Sequence, residues 1–405
     1  MQLLENEKIV NVMEQVLNNV DSRLVDHGIR VAYLMYKVLE PRKLFDNKQL
    51  QNVCILAMLH DVGAYRVEEI DKMVIFETID VWDHSVNGYL YQKYFSPHKE
   101  LAPVLLFHHA SCQELEVLEP KKRMLANLIS LTDRADVFSL HGGSSNDFNA
   151  HIESYRDNKY LSDVVDMYLE AKIDLDTVFK DLENDKEFKK LLWDTKMSDD
   201  EVSEYATMLS AVVDFRDSRT ASHTASLVAA SGCLAELLDM KNAEIKKVET
   251  AALLFGLCQI VIPVSDMENP YFKVDEDSIL VKKYIDAAND ILEGNVSDHI
   301  AEMVKSRFNT ITNMSTSACI LIISNTLVNL AISPNPAENL KVLLESGKLT
   351  PKITNEAIEN IDEILELISS TAYPVINQYK ALVAEFSQIK DIIEAKDFDK
   401  LKESI

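Results

Sequence analysis

Glycine and proline are scarce in this chain, and this scarcity limits the folds open to it. The 405 residues include 9 Gly and 10 Pro, whereas an average globular protein carries ~7% Gly and ~5% Pro. Sheets and tight hairpins use glycine at their turns, and the dominant residues here, such as Leu, Ile, Ala, Glu and Lys, favour helices. The composition therefore predicts an all-α protein whose helices are joined by short loops.

Apolar residues recur at helical spacing through most of the sequence. Helices are predicted over these ranges: 6–20, 50–62, 81–95, 101–110, 121–138 and 149–170. The C-terminal end is also expected to be helical, beyond Pro374 as well as before it. A charged and polar stretch at 194–201 predicts a boundary between one domain over 1–198 and a second over 199–405.

The overall charge and the cysteine pattern limit the partners and the compartment. With a formal net charge of −25, the surface repels nucleic-acid polymers, which need clustered Lys and Arg. A small phosphorylated substrate is compatible with this charge, because bound dications make a pocket locally positive. The sequence shows neither a bilayer-spanning apolar run nor a secretion signal, and its five cysteines are scattered. We therefore expect a cytoplasmic protein with no membrane partner.

The first third of the chain carries histidines and aspartates in a series that is typical of a metal site. The members of the series are His27, His60, Asp61, His84, His108, His109 and Asp133. Imidazole nitrogens and carboxylate oxygens suit iron, manganese or zinc, and no thiolate belongs to the series. Neighbouring residues on a helix point ~100° apart, so the two members of an adjacent pair rarely serve one ion. The pattern therefore predicts a centre for two divalent metal ions.

The two halves of the sequence resemble each other. DHGIRVAYL and ILAMLHDVGAY in the first half correspond to SHTASLVAA and AALLFGLCQIVIP in the second, at nearly the same separation. The aligned positions in the second half hold His223, Phe255, Gly256, Tyr284 and Asn325, and of these only the histidine matches its counterpart. The sequence thus predicts two copies of one helical domain, of which the second has lost its metal site. Packing, dimerisation or binding of a regulatory ligand is the role expected for that second copy.

The order His, His-Asp, His, His-His, Asp resembles the HD superfamily of metal-dependent phosphohydrolases. More narrowly, it resembles the HD-GYP branch, which includes cyclic di-GMP phosphodiesterases. The resemblance covers residues 20–138 in the first copy and 214–330 in the second, where DSRTASHT and FGLCQIVIP are similar to motifs of that branch. It implies two tandem HD-type helical bundles, the second of which is a degenerate HD-GYP-like domain.

The resemblance also implies a role for each ligand residue. One ion would be held by His27, His60 and Asp133, the other by His84, His108 and His109, and Asp61 would bridge the two ions as the catalytic aspartate. Fe or Mn is the expected metal, with Zn, Mg or Ni as alternatives. A water or hydroxide between the ions would attack phosphorus, because dications lower the pKa of bound water towards ~7.

Several positions depart from the HD-GYP pattern. The branch usually has a Lys that contacts substrate phosphate three residues beyond the motif's Asp, and this chain has Ala64 there. Arg66 is predicted to replace it through a bidentate phosphate contact, with Tyr65 as an alternative, although a solvent-exposed Arg66 is equally expected. The glycine-rich GYP segment is absent, and Ala110 stands where a Glu is usual. Arg23 occupies the place of a Glu that binds a third metal in some members, so two ions are expected.

Further residues near the last ligand are candidates for substrate binding. Arg134 either faces the pocket and meets a phosphate or pairs with a neighbouring aspartate. In the stretch after it, Tyr155, Arg156 and Lys159 either line a substrate pocket or belong to an exposed amphipathic helix, and the second interpretation is favoured.

Together these features predict a metal-dependent phosphohydrolase, specifically a phosphodiesterase that acts on a cyclic dinucleotide or another nucleotide. The alternative among enzymes is a phosphatase acting on a mononucleotide or a phosphorylated metabolite. A signalling protein that binds metal or nucleotide without catalysis is the alternative from another class. The missing Lys and GYP segment favour that alternative, and the complete ligand set opposes it. The expected partner is a small phosphorylated or nucleotide substrate, and a homodimer is one of the options left open for the second domain.

Overall fold

The structure is a computed structural model, and the regular secondary structure of the residues that it describes is helical. It describes residues 6–19, 25–64, 82–263, 279–306, 314–331, 333–347 and 349–405. Within these ranges there is no β-strand, and the β-type pairing found there is a bridge between Arg156 and Tyr160. The prediction of an all-α protein is therefore confirmed.

The α-helices are numbered in chain order. Their bounds are α1 Asn6–Asn18, α2 His27–Leu39, α3 Asn47–Met58, α4 Trp82–Phe95, α5 Ala102–Leu106, α6 Pro120–Leu140, α7 Ser145–Ser154, α8 Ser162–Ala171, α9 Val178–Leu182, α10 Lys186–Lys189, α11 Asp199–Asp214, α12 His223–Leu237, α13 Asn242–Leu257, α14 Ile279–Leu292, α15 Asp298–Lys305, α16 Thr316–Leu330, α17 Pro336–Glu345, α18 Pro351–Glu359, α19 Ile361–Glu394 and α20 Phe398–Ser404. Short 3₁₀ turns occur at Glu40–Arg42, Val62–Ala64, Lys99–Leu101, Glu114–Val117 and Cys258–Val261, and a π-helical turn at Lys190–Asp194.

The chain divides into two compact units. Unit I comprises Val20–Met208 and Leu382–Ile405, and unit II comprises Met1–Asn19 and Leu209–Ala381. The chain passes from one unit to the other at 19/20, within α11 and within α19. Pro374 lies inside α19. The domain boundary at 198/199 concerns the two sequence copies and stays a prediction.

Five helices of unit I pack together around the residues predicted to bind metal. Helix α2 packs against α3 and α6, while α4 packs against α5 and against the 3₁₀ turn at Val62–Ala64. The side chains that face one another are buried, among them Leu34, Leu56, Val86 and Leu128. Burial of each such aliphatic side chain stabilises the bundle by ~1.5–3 kcal/mol.

Helix termini in unit I follow local sequence signals. Asp46 begins α3 with a capping box, because its carboxylate accepts from the Gln49 N–H at 2.8 Å while the Gln49 side chain accepts from the Asp46 N–H at 3.3 Å. Pro120 begins α6 at the first helical position. The missing N–H of proline costs no hydrogen bond there, because an N–H at this position has no partner within the helix. Both helix starts therefore follow from residues at the beginning of the helix itself.

Helix pairs in unit II follow the same sequence order as helix pairs in unit I. Helix α12 packs against α13 and α16, and α13 also packs against α15. Helix α1, from the beginning of the chain, packs against α14. The pairs α12–α13 and α12–α16 correspond in sequence order to α2–α3 and α2–α6 of unit I.

The helix predicted over 149–170 is interrupted. Helix α7 ends at Ser154 and α8 begins at Ser162. Between them, the Asn127 side chain donates to the Lys159 carbonyl at 2.8 Å and accepts from the Leu161 N–H at 2.8 Å. These hydrogen bonds replace helical ones and direct the connecting loop back towards α6.

No helix among the described residues combines the length and the apolar character that crossing a membrane requires.

Candidate metal centre

All the predicted ligand side chains lie in unit I, at or near helix ends that meet in the bundle. His27 is the first residue of α2, His60 and Asp61 follow α3, His84 lies in the first turn of α4, His108 and His109 follow α5, and Asp133 lies on α6. They form two groups in which the potential ligand atoms are within 4.8 Å of one another. The first cluster is His27, His60 and Asp133, and the second cluster is Asp61, His84, His108 and His109.

In the first cluster, two imidazoles and a carboxylate point at one place. The Nε2 atoms of His27 and His60 are 3.3 Å apart. The Oδ1 atom of Asp133 lies 3.3 Å from Nε2 of His27 and 3.8 Å from Nε2 of His60. Ligand atoms ~2.0–2.2 Å from one ion in a tetrahedral arrangement are separated by roughly 3.3–3.6 Å, so the spacing of this cluster fits a shared cation.

The second cluster has the same spacing with one more imidazole. The Nε2 atoms of His84 and His108 are 3.4 Å apart. The Oδ1 atom of Asp61 lies 3.7 Å from the first of these nitrogens and 3.8 Å from the second. The His109 ring lies 4.9 Å from the His84 ring, centroid to centroid, which completes the group. His108 and His109 thus share one cluster, unlike the helical expectation for an adjacent pair, because both lie in the turn that follows α5.

Asp61 lies between the two clusters and presents one oxygen to each. Its Oδ2 atom is 3.3 Å from Nε2 of His60 and 3.6 Å from Nε2 of His27, whereas its Oδ1 atom faces the second cluster. Oδ1 is buried and has no hydrogen-bond partner. A buried carboxylate oxygen without a partner is costly, and a cation in the second cluster would satisfy it. The residues present therefore fit a pair of divalent cations.

Hydrogen bonds at the far side of each ring orient the imidazoles. Nδ1 of His60 donates to the Ala57 carbonyl at 2.7 Å, and Nδ1 of His108 donates to the Leu105 carbonyl at 2.6 Å. In a neutral ring this leaves the lone pair on Nε2, the atom that faces the cluster. Metal-binding histidines are usually held in this way.

The ring of His27 is held by a carboxylate instead. Its Nδ1 lies 2.7 Å from Oδ2 of Asp136, which is fully buried. Arg30 in turn donates to both oxygens of Asp136, at 2.6 and 3.1 Å. This buried chain of arginine, aspartate and histidine fixes the ring and compensates the charge of the aspartate.

Close backbone packing holds the His60-Asp61 segment in place. A Cβ atom on Gly63 would lie 2.0 Å from the His84 carbonyl oxygen and 2.4 Å from the Gly88 nitrogen. A Cβ atom on Gly28 would lie 2.5 Å from the Met58 carbonyl oxygen. Glycine at these two positions therefore lets α2, α4 and the segment after α3 approach closely enough for the side chains to converge.

The imidazole pKa values differ between the two clusters. Burial lowers the pKa of His60, but the charges of Asp61 and Asp133 outweigh it and raise that pKa to about 9. For His84 burial prevails and lowers the pKa to about 4. Burial opposes ionisation of Asp61, yet the surrounding imidazoles hold its pKa well below the usual value. A cation entering the first cluster would thus displace a proton.

The predicted substrate-binding arginines are only partly described. Arg66, together with Tyr65 and Arg23, lies outside the described residues. Arg134 is half-buried on α6 and hydrogen-bonds the Tyr160 hydroxyl, while burial lowers its pKa. Its contact with substrate stays a prediction. A neighbouring aspartate is the alternative partner that the sequence offers for Arg134. One such aspartate, Asp136, instead binds Arg30 and the His27 ring.

The loop between α7 and α8 brings another cation to the second cluster. Lys159 donates from Nζ to the His109 carbonyl oxygen at 2.5 Å, and burial lowers its pKa. Arg156 forms ion pairs with Glu153 and Asp166, and Tyr155 is exposed.

Sequence reasoning missed Arg30 and the role of Asp136 in supporting the ring of His27. Each follows a ligand on its own helix by three residues, Arg30 after His27 and Asp136 after Asp133. Residues at this spacing share a helix face, and this relation was the signal that could have identified them.

Comparisons with known proteins give one finding on the fold. No family model matches the chain, and no curated protein matches it. Among solved structures, the chain is similar to a cyclic GMP-AMP specific phosphodiesterase of V. cholerae, with a TM-score of 0.52 and 12% sequence identity. The similarity covers 91% of this chain and 97% of that chain, so it extends over both units. At this identity it concerns the fold.

At the corresponding positions in unit II, amide and aromatic side chains accompany the histidine. Nε2 of His223 donates to the Asn325 side-chain oxygen at 3.0 Å, and Nδ1 accepts from Gln259 at 3.4 Å. Phe255 and Tyr284 are buried with ring centroids 6.1 Å apart, edge to face. Among the residues that the structure describes, the groups able to hold a metal ion are the two in unit I.

Proposed function

We propose that this chain is a metal-dependent phosphodiesterase of the HD type, in which the two clusters of unit I hold a pair of divalent cations. The observation that carries this proposal is the Asp61 carboxylate, which presents one oxygen to each cluster and has a buried oxygen without a hydrogen bond. Buried charges are stabilised by pairing or by metal ions, and here imidazole nitrogens surround the carboxylate at ligand spacing.

Each side chain has a role in this proposal. The first cluster binds one ion, the second cluster binds the other, and Asp61 is shared between them as the catalytic aspartate. The ligand atoms are imidazole nitrogens and carboxylate oxygens, which suit iron or manganese, with zinc, magnesium or nickel as alternatives. When bound, two such cations act as a Lewis acid on a phosphoryl group and lower the pKa of water.

The protein's own groups hold and orient this centre. Asp136 and Arg30 fix the ring of His27, and backbone carbonyls hold His60 and His108 with Nε2 facing inward. Because these groups are buried and already hydrogen-bonded, they need little rearrangement when a substrate binds.

Substrate is proposed to approach from the side of His109 and Asp133, the partly exposed members of the two clusters. Lys159 lies at the His109 carbonyl on this side, and Arg134 follows Asp133 in sequence. We assign these two cations to the phosphate groups of the substrate, in the role that a lysine at position 64 would have filled. Arg66 is a third candidate.

The proposed substrate is a nucleotide phosphodiester, with a cyclic dinucleotide as the first choice. The similarity to a cyclic GMP-AMP specific phosphodiesterase over most of both chains supports this choice. The net charge of −25 disfavours binding of nucleic-acid polymers, but it is compatible with binding of small nucleotides. The repeated helix pairs of units I and II support the second part of the proposal, an HD-GYP-like tandem whose second copy is degenerate.

Metal reconstitution followed by a substrate panel tests this function. Protein purified anaerobically and stripped of metal would receive Mn(II) or Fe(II) and then bis(p-nitrophenyl) phosphate, cyclic dinucleotides and mononucleotides. We expect cleavage of diesters, and a loss of at least ~10³-fold in kcat for Asp61→Ala. Gln259→Ala, in unit II, is the control and should retain activity. Bound metal without turnover of any substrate would contradict the proposal, and release of phosphate from mononucleotides alone would indicate a phosphatase.

A further inference from the structure

The last segment of the chain, Leu382–Ile405, is part of unit I although it is distant in sequence from the metal ligands. It comprises the end of α19 and the short helix α20. Ile389 and Leu401 are buried, so the segment is packed into the unit. The segment makes polar and aromatic contacts with α4, the helix that carries His84, and α20 also packs against the 3₁₀ turn at Glu114–Val117.

The first attachment holds the C-terminal end of α4. Lys93 donates from Nζ to Glu385 Oε1 at 2.7 Å, and the hydroxyl of Tyr94 donates to the other oxygen of the same carboxylate. Lys93 also donates to the Tyr89 hydroxyl at 2.9 Å. One glutamate of the segment thus binds two neighbouring residues of α4, and each of these polar side chains is partly shielded from water.

The second attachment holds the N-terminal end of α4, beside the metal ligand. Lys390 forms an ion pair with Asp83, the residue before His84, and both side chains are about four-fifths buried at 21% and 19% exposure. The ring of Phe398 lies 6.3 Å from the ring of Trp82. The two ion pairs therefore join α19 to both ends of α4.

Trp82 extends this attachment to the other ligands of the second cluster. Its ring lies 6.0 Å from that of Phe107, at 90°, and Phe107 directly precedes His108 and His109. One indole ring therefore contacts the C-terminal segment on one side and the neighbour of two ligands on the other.

The imidazoles of the first cluster are held by other groups. His27 is oriented by Asp136, and His60 by the Ala57 carbonyl. Ligand atoms must be held within ~0.5 Å of their required positions for a metal site to keep its affinity. A displacement of α4 would thus affect the second cluster first.

We propose that Leu382–Ile405 is a positioning segment for the second metal ion, with Glu385 and Lys390 as its positioning residues. The inference rests on the proposed metal centre. It states that the ion held by Asp61, His84, His108 and His109 depends on this segment, whereas the ion held by the first cluster does not.

Cobalt titration of the metal-free full-length chain tests the proposal, with binding followed by calorimetry and by visible absorption. The wild type should bind two Co(II) ions. The double variant Glu385→Gln, Lys390→Met keeps side-chain size and removes both ion pairs. It should bind the first ion with unchanged affinity and the second about tenfold more weakly. Glu244→Gln with Lys247→Met, which removes a surface pair of unit II, is the matched control and should bind both ions as the wild type does.

A charge exchange separates a direct contact from a general loss of stability. Glu385→Lys and Lys93→Glu should each weaken the second ion, and the two changes together should restore it. Equal weakening of both ions, or wild-type binding by the Gln and Met variant when circular dichroism shows it folded, would overturn the proposal. A wild type that binds no cobalt would instead refute the metal centre itself.

Discussion

The ligand positions of unit I and the aligned positions of unit II differ in charge although corresponding helices meet in both. His27 lies 3.3 Å from Asp133 in unit I, and His223 lies 3.0 Å from Asn325 in unit II. An imidazole paired with an amide satisfies both groups without a cation, whereas several imidazoles around two carboxylates do not. The missing carboxylates, together with the missing imidazoles, therefore distinguish the interior of unit II from the two clusters of unit I.

Other corresponding positions of unit II hold apolar, aromatic or small residues in place of ligand-type side chains. Phe255 and Tyr284 fill the interior of unit II with aromatic rings. Gly256, aligned with Asp61, has no side chain, and a Cβ atom there would lie 2.2 Å from the Thr224 hydroxyl. Unit II thus has neither a side chain nor space for one at the position that corresponds to Asp61, whose carboxylate oxygens face both clusters in unit I.

Making unit I resemble unit II should have the largest effect. Asp133→Asn converts the His27–Asp133 pair into the histidine–amide pair of unit II and removes one negative charge from the first cluster. We expect loss of one metal ion per chain and a fall in phosphodiesterase kcat of at least ~10²-fold. Metal analysis by mass spectrometry and assays at saturating substrate would measure both.

The reciprocal change is the control for Asp133→Asn. Asn325→Asp restores a carboxylate to unit II but no counterpart of Asp61, so it should bind no additional metal. A third ion in that variant, or two ions in Asp133→Asn, would break the comparison.

A smaller effect is expected when the support of a ligand is changed and the ligand is kept. Asp136→Asn preserves the size of the side chain but weakens its hold on His27 Nδ1 and its ion pair with Arg30. Loss of such a support typically reduces metal affinity by 10–100-fold, and competition with a chelator would measure it. Glu170→Gln, which removes a surface pair with Arg42, should leave the affinity unchanged, and an equal loss in both variants would show that the effect is not specific.

The fold class and the convergence of the ligand residues followed from simple features of the sequence. Few glycines and prolines leave little for sheets, and the seven ligand-type residues recur about once per helical hairpin. Helical bundles bring such positions together because their helix ends meet at the same level.

Contacts between distant segments left no comparable signal. Lys93 and Glu385 are 292 residues apart, and periodicity along a helix says nothing about such a partner. In the interruption of the 149–170 helix, the Lys159 carbonyl accepts a hydrogen bond from Asn127, 32 residues earlier in the chain. Hydrophobic spacing records which face of a helix is buried, but not which polar side chain will end it.

The buried carboxylate of unit II offers a test by pH. Imidazoles lower the pKa of Asp61, whereas burial raises the pKa of Asp214 to about 7, against hydrogen bonds from Thr224 that lower it. Asp214 binds its proton more tightly in the folded state, so the stability that the protonated group contributes is complete below its unfolded pKa of ~3.9. This stability is lost as the pH rises to about 7.

Asp214→Asn should remove that pH dependence. At pH 8 we expect the variant to be more stable than the wild type by up to about 4 kcal/mol, with the difference vanishing near pH 4. Urea unfolding followed by circular dichroism across this range would measure it. Asp286→Asn, at an exposed position of unit II, should show no such difference, and a pH-independent gain in Asp214→Asn would contradict the assignment to this carboxyl group.

The smallest effect is expected from changing His223, the histidine of unit II that corresponds to His27 of unit I. His223→Ala removes hydrogen bonds to Asn325 and Gln259 and leaves every residue of the two clusters in place. Each such bond contributes ~0.5–1.5 kcal/mol, so the free energy of unfolding should fall by about 1–3 kcal/mol while metal content and kcat stay at wild-type values. His27→Ala, the aligned change in unit I, should instead remove a metal ion. A lower metal content in His223→Ala would mean that metal binding by the two clusters of unit I depends on the His223–Asn325 pair. The distinction between the two units would then fail.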